Sequence, residues 1–135
     1  MTPRIGIRIG ILGAARIAPM ALLRPVKEVD GVSVVAVAAR DKARAAAFAE
    51  KHGIAKVADS YAALFADPDV DAIYNPLPNS HHKALTIEAL RAGKHVLVEK
   101  PIAANADDAR AMRDAAVAAG KVLMEAFHWR YHPLT

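Results

Sequence analysis

Apolar, strand-like runs alternate with alanine-rich helical segments along almost the whole chain, and this alternation restricts the fold more than any other feature of the sequence. Strands separated by helices pair in parallel, because each helix carries the chain back to the edge from which the last strand began. The expected strands are Arg8 to Leu12, Val32 to Ala39, a short one near Lys56 to Ala58, Ala72 to Tyr74, His95 to Glu99 and Val122 to Met124. About six such strands with crossover helices read as a doubly wound α/β sheet. At 135 residues the chain fits one domain around one core.

The helix ends are marked too. Asp41 caps the segment Lys42 to His52, and Gly53 supplies its left-handed stop. Asn79 or Ser80 opens a helix that closes at Gly93, and Asn105 opens one that closes at Gly120, with Asp107 and Asp108 in the first turn where the macrodipole favours acids. Ser60 to Phe65 reads as one or two turns ended by Asp67 and Pro68. The first crossover differs, because Pro19 and Pro25 fall inside it and an interior proline costs about 3 kcal/mol. A short or kinked helix is expected there.

Several function classes are excluded. The formal charge of +4 comes from basic residues scattered among acids, without a basic stripe or interleaved aromatics, so no nucleic-acid partner is expected. No apolar stretch approaches the roughly 20 residues that cross a bilayer. Arg8, Gly10, Gly13 and Arg16 interrupt any secretory h-region, and a cytoplasmic protein is expected. The absence of cysteine removes disulfides, thiolate metal sites and a cysteine nucleophile together. Among the six histidines, His81 and His82 are adjacent and no HExxH spacing occurs, so no metal site is expected.

The turn after the first strand, Gly13-Ala14-Ala15-Arg16-Ile17-Ala18, stands where a Rossmann-type sheet carries its glycine-rich dinucleotide fingerprint. Gly13 makes the tight turn, while Ala15 and Ala18 replace glycines with the next smallest residue. The helix that follows would offer unpaired amide donors to a pyrophosphate. At the end of the second strand Arg40 suits the 2′-phosphate of NADP, since a guanidinium pairs with phosphate and stacks on adenine. The alternative is that Asp41 reaches the ribose of NAD, but capping the next helix is its better-supported role. NADP is therefore favoured over NAD.

Further along, the strand ending at Tyr74 runs into Asn75-Pro76-Leu77-Pro78-Asn79-Ser80-His81-His82, and a later one, entered through Ala92-Gly93-Lys94-His95-Val96, ends in Glu99-Lys100-Pro101. These motifs resemble the Gfo/Idh/MocA oxidoreductases, and the similarity spans nearly the whole chain. The tail from Met124 to Pro133 is most similar to the dihydrodiol and xylose dehydrogenase branch, which is grouped here with glucose-fructose oxidoreductase.

The resemblance implies that residues 1–127 are an NAD(P)-binding Rossmann domain and that 128–135 begin the connection to the family's second α/β domain, which is absent. It implies hydride transfer between nicotinamide C4 and the carbinol carbon of a sugar, polyol or diol. Lys100 is the expected catalytic residue, orienting or polarising the reacting oxygen; without the resemblance it reads as an ordinary surface lysine. Expected cofactor contacts are Gly13, Ala14, Ala15, Arg16, Ile17, Arg40, Asn75, Pro76, Leu77, Asn79, His82, Glu99, Lys100, Trp129 and Arg130. Asn79 is equally readable as a helix cap, His82 as a helix-packing residue, and Trp129 as an aromatic covering a domain junction. Pro101 follows a cis peptide bond in the family. The full-length protein is expected to form a homo-oligomer, and these 135 residues alone to turn over little; a non-catalytic NADP sensor is the alternative function.

Overall fold

The structure, a computed structural model, describes residues 6–134. Its strands are β1 (Ile7–Leu12), β2 (Val32–Ala38), β3 (Lys56–Val57), β4 (Ala72–Asn75), β5 (His95–Glu99) and β6 (Leu123–Ala126). Its helices are α1 (Arg24–Val26), α2 (Lys42–His52), α3 (Tyr61–Ala66), α4 (His82–Arg91) and α5 (Ala106–Ala119). All five strand pairings are parallel and the order is β3-β2-β1-β4-β5-β6, the doubly wound order whose direction reverses between β1 and β4.

Side chains alternate across a strand, so neighbouring residues feed opposite layers. Ile11, Val37 and Tyr74 pack with Ala18, Leu22, Leu23 and Ala49 beneath the first crossover and α2. Their neighbours Leu12, Ala36, Ala38 and Ile73 pack with Leu64, Leu90, Met112 and Ala116 of α3, α4 and α5. The strands are apolar on both sides because both faces are covered. Gly10 belongs to this packing: a Cβ there would come within 2.9 Å of Leu64 Cδ1.

Most helix ends follow the sequence. The Asp41 carboxylate accepts the backbone N–H groups of Ala43 and Arg44, Ser60 accepts that of Ala63, and Asn105 accepts that of Asp108. Gly53 and Gly120 close α2 and α5 in the left-handed conformation.

Two expectations need correction, and the short or kinked helix expected in the first crossover is present with a particular winding. Neither Asn79 nor Ser80 caps a helix: Pro78 stays extended, the chain winds a 3₁₀ turn over Asn79–His81, and α4 starts at His82 without a side-chain cap. The last strand runs Leu123–Ala126 rather than Val122–Met124, because β5 pairs with it in the register Val96↔Leu123 to Glu99↔Ala126. The first crossover is wound as a π-helix over Pro19–Leu23, with Arg24 N–H bonding to Pro19 O, before the short α1. Proline at 25 has no N–H for an ordinary i→i−4 bond, which accounts for the broken α pattern.

Candidate functional site

In a parallel sheet with this order, the loops leaving the carboxyl ends of β1 and β4 diverge to opposite faces and leave a crevice between them. The structure places a cleft of about 810 Å³ there, lined by Gly13, Ala14, Ala15, Ala39, Arg40, Asp41, Arg44, Tyr61, Pro76, Leu77 and Pro78. That volume falls within the range of roughly 300–1,000 Å³ usual for small-molecule sites.

Its floor requires glycine. Gly13 has φ of 76° and donates its N–H to Ala38 O at 2.6 Å, and a Cβ on it would lie 2.7 Å from Leu77 Cδ2. Any side chain would strain this turn and displace the Leu77 side chain. Ala14 and Ala15 continue the floor half-exposed, followed by exposed Arg16 and half-buried Ile17.

The wall above β2 is cationic. Arg40 and Arg44 are exposed, and among the described residues no hydrogen bond or ion pair engages either guanidinium. Arg44 stands in the first turn of α2, just past the loop that carries Arg40, and the Asp41 cap holds that turn in place. Asp41 is thus committed to the helix end, as its sequence context suggests. Arg44 and the half-buried Tyr61 join the cleft without being among the expected contacts; the signal for Arg44 is its place in the first turn after the Asp41 cap, whereas Tyr61 arrives from α3, which sequence spacing does not connect to β2.

The loop after β4 contributes Pro76, Leu77 and Pro78 to the cleft, and its shape is set from below. Asn75 is fully buried: its Oδ1 accepts the N–H of Leu77 and its Nδ2 donates to Thr86 Oγ1, both at 3.2 Å. Its side chain therefore organises the loop rather than facing the cleft. His82, 1% exposed, puts Nε2 2.7 Å from Leu77 O and Nδ1 2.8 Å from Pro101 O, so its ring ties this loop to the one after β5. Asn79 is exposed at the rim.

At the end of β5 the carboxylate of Glu99 is buried. It accepts the phenol O–H of Tyr74 at 2.7 Å and the backbone N–H of Lys100 at 3.3 Å. Burial, reinforced by the hydrogen bond to the Glu99 carboxylate, pushes the Tyr74 phenol far above the ordinary range, which keeps it a donor to Glu99. Lys100 itself is exposed and has no side-chain partner among the described residues, and the Lys100–Pro101 bond is cis, as the resemblance implies. Trp129 and Arg130 lie exposed in a 3₁₀ turn after β6 and do not line the cleft. From β2 to β5 the carboxyl edge runs Arg40, Gly13, Asn75, Lys100, spanning three strand spacings or about 14 Å. Among the described residues no group of three or more His, Asp or Glu is placed to hold a metal, and no helix is long and apolar enough to cross a membrane.

A glycine turn at the switch point, a cationic wall over β2 and a lysine two strands away define a dinucleotide-binding Rossmann unit. Residues 7–127 match the family described as "oxidoreductase family, NAD-binding Rossmann fold", and the chain belongs to this Gfo/Idh/MocA family. It is 45% identical over 126 residues to a D-xylose 1-dehydrogenase (NADP+) of Haloferax volcanii, covering 93% of this chain and 38% of that protein. It is 47% identical over 100 residues to a trans-1,2-dihydrobenzene-1,2-diol dehydrogenase of Macaca fascicularis, covering 74% and 30% of the two chains. A solved 3-ketoreductase from Actinomadura kijaniata in complex with NADP superposes with a TM-score of 0.89 at 40% identity, covering 96% of this chain and 41% of the other. The chain thus spans about two fifths or less of the length of these relatives.

Proposed function

We propose that this chain binds NADP in preference to NAD across the carboxyl edge of its sheet, as the cofactor-holding part of an oxidoreductase acting on a sugar, polyol or diol. The observation that carries the preference is the pair of unengaged guanidiniums, Arg40 and Arg44, at the cleft wall over β2. Two forked cations suit a 2′-phosphate and have no counterpart to pair with on a bare ribose hydroxyl. The site also fits the rest of a dinucleotide, because Gly13, Ala14 and Ala15 line its floor with at most a methyl group, which suits close approach by a pyrophosphate.

Bound here, the nicotinamide supplies a hydride acceptor or donor at its C4 position. The chain's own residues bind and orient. Leu77 and Pro78 shield one side of the cleft, and Asn79 offers amide donors and acceptors at its rim. Lys100, carried at the end of β5 on the buried Glu99, presents an ammonium to the reacting oxygen, where it orients a hydroxyl or polarises a carbonyl. Trp129 and Arg130 would cover the nicotinamide side once residues 128–135 lead into a second domain, residues 1–127 forming the nucleotide domain. The relatives named above are dehydrogenases and reductases, which supports an enzyme over a sensor, and their printed substrates support a sugar or diol.

Titration of NADPH and NADH fluorescence against the chain and its Lys100→Ala variant tests the reading. NADPH should bind at least tenfold more tightly than NADH, with the ratio unchanged in Lys100→Ala because that lysine lies outside the cleft. Equal affinities would refute the NADP preference.

A further inference from the structure

The backbone that carries Lys100 is held by side chains from three other elements, and one of them, Glu125, is not among the residues expected at the site. Tyr74 of β4 fixes Glu99, which accepts the Lys100 N–H; His82 of α4 reaches Pro101 O; and Glu125 of β6 accepts the Ile102 N–H through Oε2 at 2.7 Å. From residue 100 to 102, each described N–H and the Pro101 carbonyl is thereby tied to a named side chain. Glu125 makes the tie farthest along the chain from β5, and it is the one whose partner lies on the path toward α5.

Its position explains the reach. Glu125 sits beside Val98 in the parallel register and follows Leu123 by two, so it shares the face on which Leu123 packs against the cluster containing Val98, Met112 and Ala116. That is the face over which residues 100–105 must cross to enter α5. The side chain is partly buried, and the contact is a charge-assisted hydrogen bond at the short end of the N–H to oxygen range.

We propose that Glu125 is a positioning residue for Lys100: by gripping Ile102 N–H it sets where the lysine stands relative to the cleft. The inference rests on the role proposed above for Lys100, but the brace is measurable without it. With Lys100 N–H, Pro101 O and Ile102 N–H all tied, the segment has little freedom, so releasing the Ile102 tie loosens the backbone that carries the lysine while leaving the Gly13 turn and the Arg40 wall untouched.

Reductive ¹³C-methylation of the lysines, with the Lys100 signal assigned through Lys100→Arg, gives the readout, alongside amide hydrogen exchange at Ile102. In Glu125→Ala the Ile102 amide should exchange at least tenfold faster, and the shift of the Lys100 signal on adding NADP+ should fall below half its native size. NADP+-induced shifts at Gly13 and Arg40 amides should keep their native affinity. Glu125→Gln, which retains an oxygen of the same reach, should restore both readouts, and Glu125→Asp, one methylene shorter, should behave as alanine does. A Lys100 signal in Glu125→Ala or Glu125→Asp that responds as in the native chain overturns the proposal, as does unchanged Ile102 exchange. If NADP+ shifts nothing in any variant, the cofactor reading fails, while the exchange rate and apo line width at Lys100 still decide the brace.

Discussion

The two edges of this sheet treat charge in opposite ways. At the amino edge the cations are engaged: Arg8 bonds to Asp69, Asp71 and the carbonyl of Pro68, Lys56 pairs with Asp67 at 2.7 Å, and buried Lys94 donates to the carbonyls of Asp67 and Val70. The Lys56 ammonium, hydrogen-bonded to Asp67, holds that carboxyl below the usual carboxylate range, and burial pulls the Lys94 ammonium below the usual lysine range despite the nearby Asp67 and Asp71. Around the cleft at the carboxyl edge Arg16, Arg40, Arg44 and Lys100 have no such engagement among the described residues, and the neighbouring acids Asp41 and Glu99 are turned to backbone N–H groups and a phenol. These amino-edge cations hold the fold. Arg40, Arg44 and Lys100 hold nothing in it, although Lys42 and Lys83 near them pair with Asp59 and Asp108.

Substitution can break this contrast, and the largest effect should come at the carboxyl edge. Replacing Arg40 and Arg44 together by alanine should weaken NADPH binding at least 100-fold, about 2.7 kcal/mol, with the urea midpoint almost unmoved. Isothermal titration beside urea denaturation checks both halves, and a large loss of stability would show that these arginines belong to the fold after all. At the opposite edge Lys94→Met should do the reverse: two carbonyls lose their buried donor, and stability should drop by about 2 kcal/mol while NADPH affinity stays put.

Tyr74→Phe sharpens the comparison with a smaller change, because it leaves the buried Glu99 carboxylate short of one donor. A loss of about 1 kcal/mol is expected at pH 8. The pH dependence has a definite sign. The folded phenol lies above its ordinary value of 10.0, so beyond that pH the unfolded chain has released a proton that the folded chain keeps, and native stability falls as pH rises. The variant lacks this loss, so the gap between the two urea midpoints should narrow from pH 8 to pH 11.

What the sequence made legible follows from how local each signal is. The caps at Asp41, Ser60 and Asn105 and the stops at Gly53 and Gly120 are decided within a few residues, and they appear where the residues call for them. The cleft residues Gly13, Ala14, Ala15, Arg40, Pro76 and Leu77 were legible because a parallel sheet sends its strand ends to one side. Asn75 and His82 were read as contacts, yet their polar atoms face Thr86, Leu77 and Pro101; only the packed loops reveal which way a motif residue points. Glu125 reaches a backbone amide 23 residues away, and no periodicity encodes such a meeting. The π-wound crossover was foreseen as a disturbance by its prolines, though not as that particular winding.

The flank beyond β2 has a consequence for how copies of this chain meet. Strand β3 is two residues long, paired only as Ala36↔Lys56 and Val37↔Val57, and one of its two side chains is a lysine. A second molecule trying to extend the sheet from that side would find a ladder two rungs deep, guarded by a charge, and would gain too few bonds to stay. Brevity and a lysine together make this margin a barrier to sheet growth.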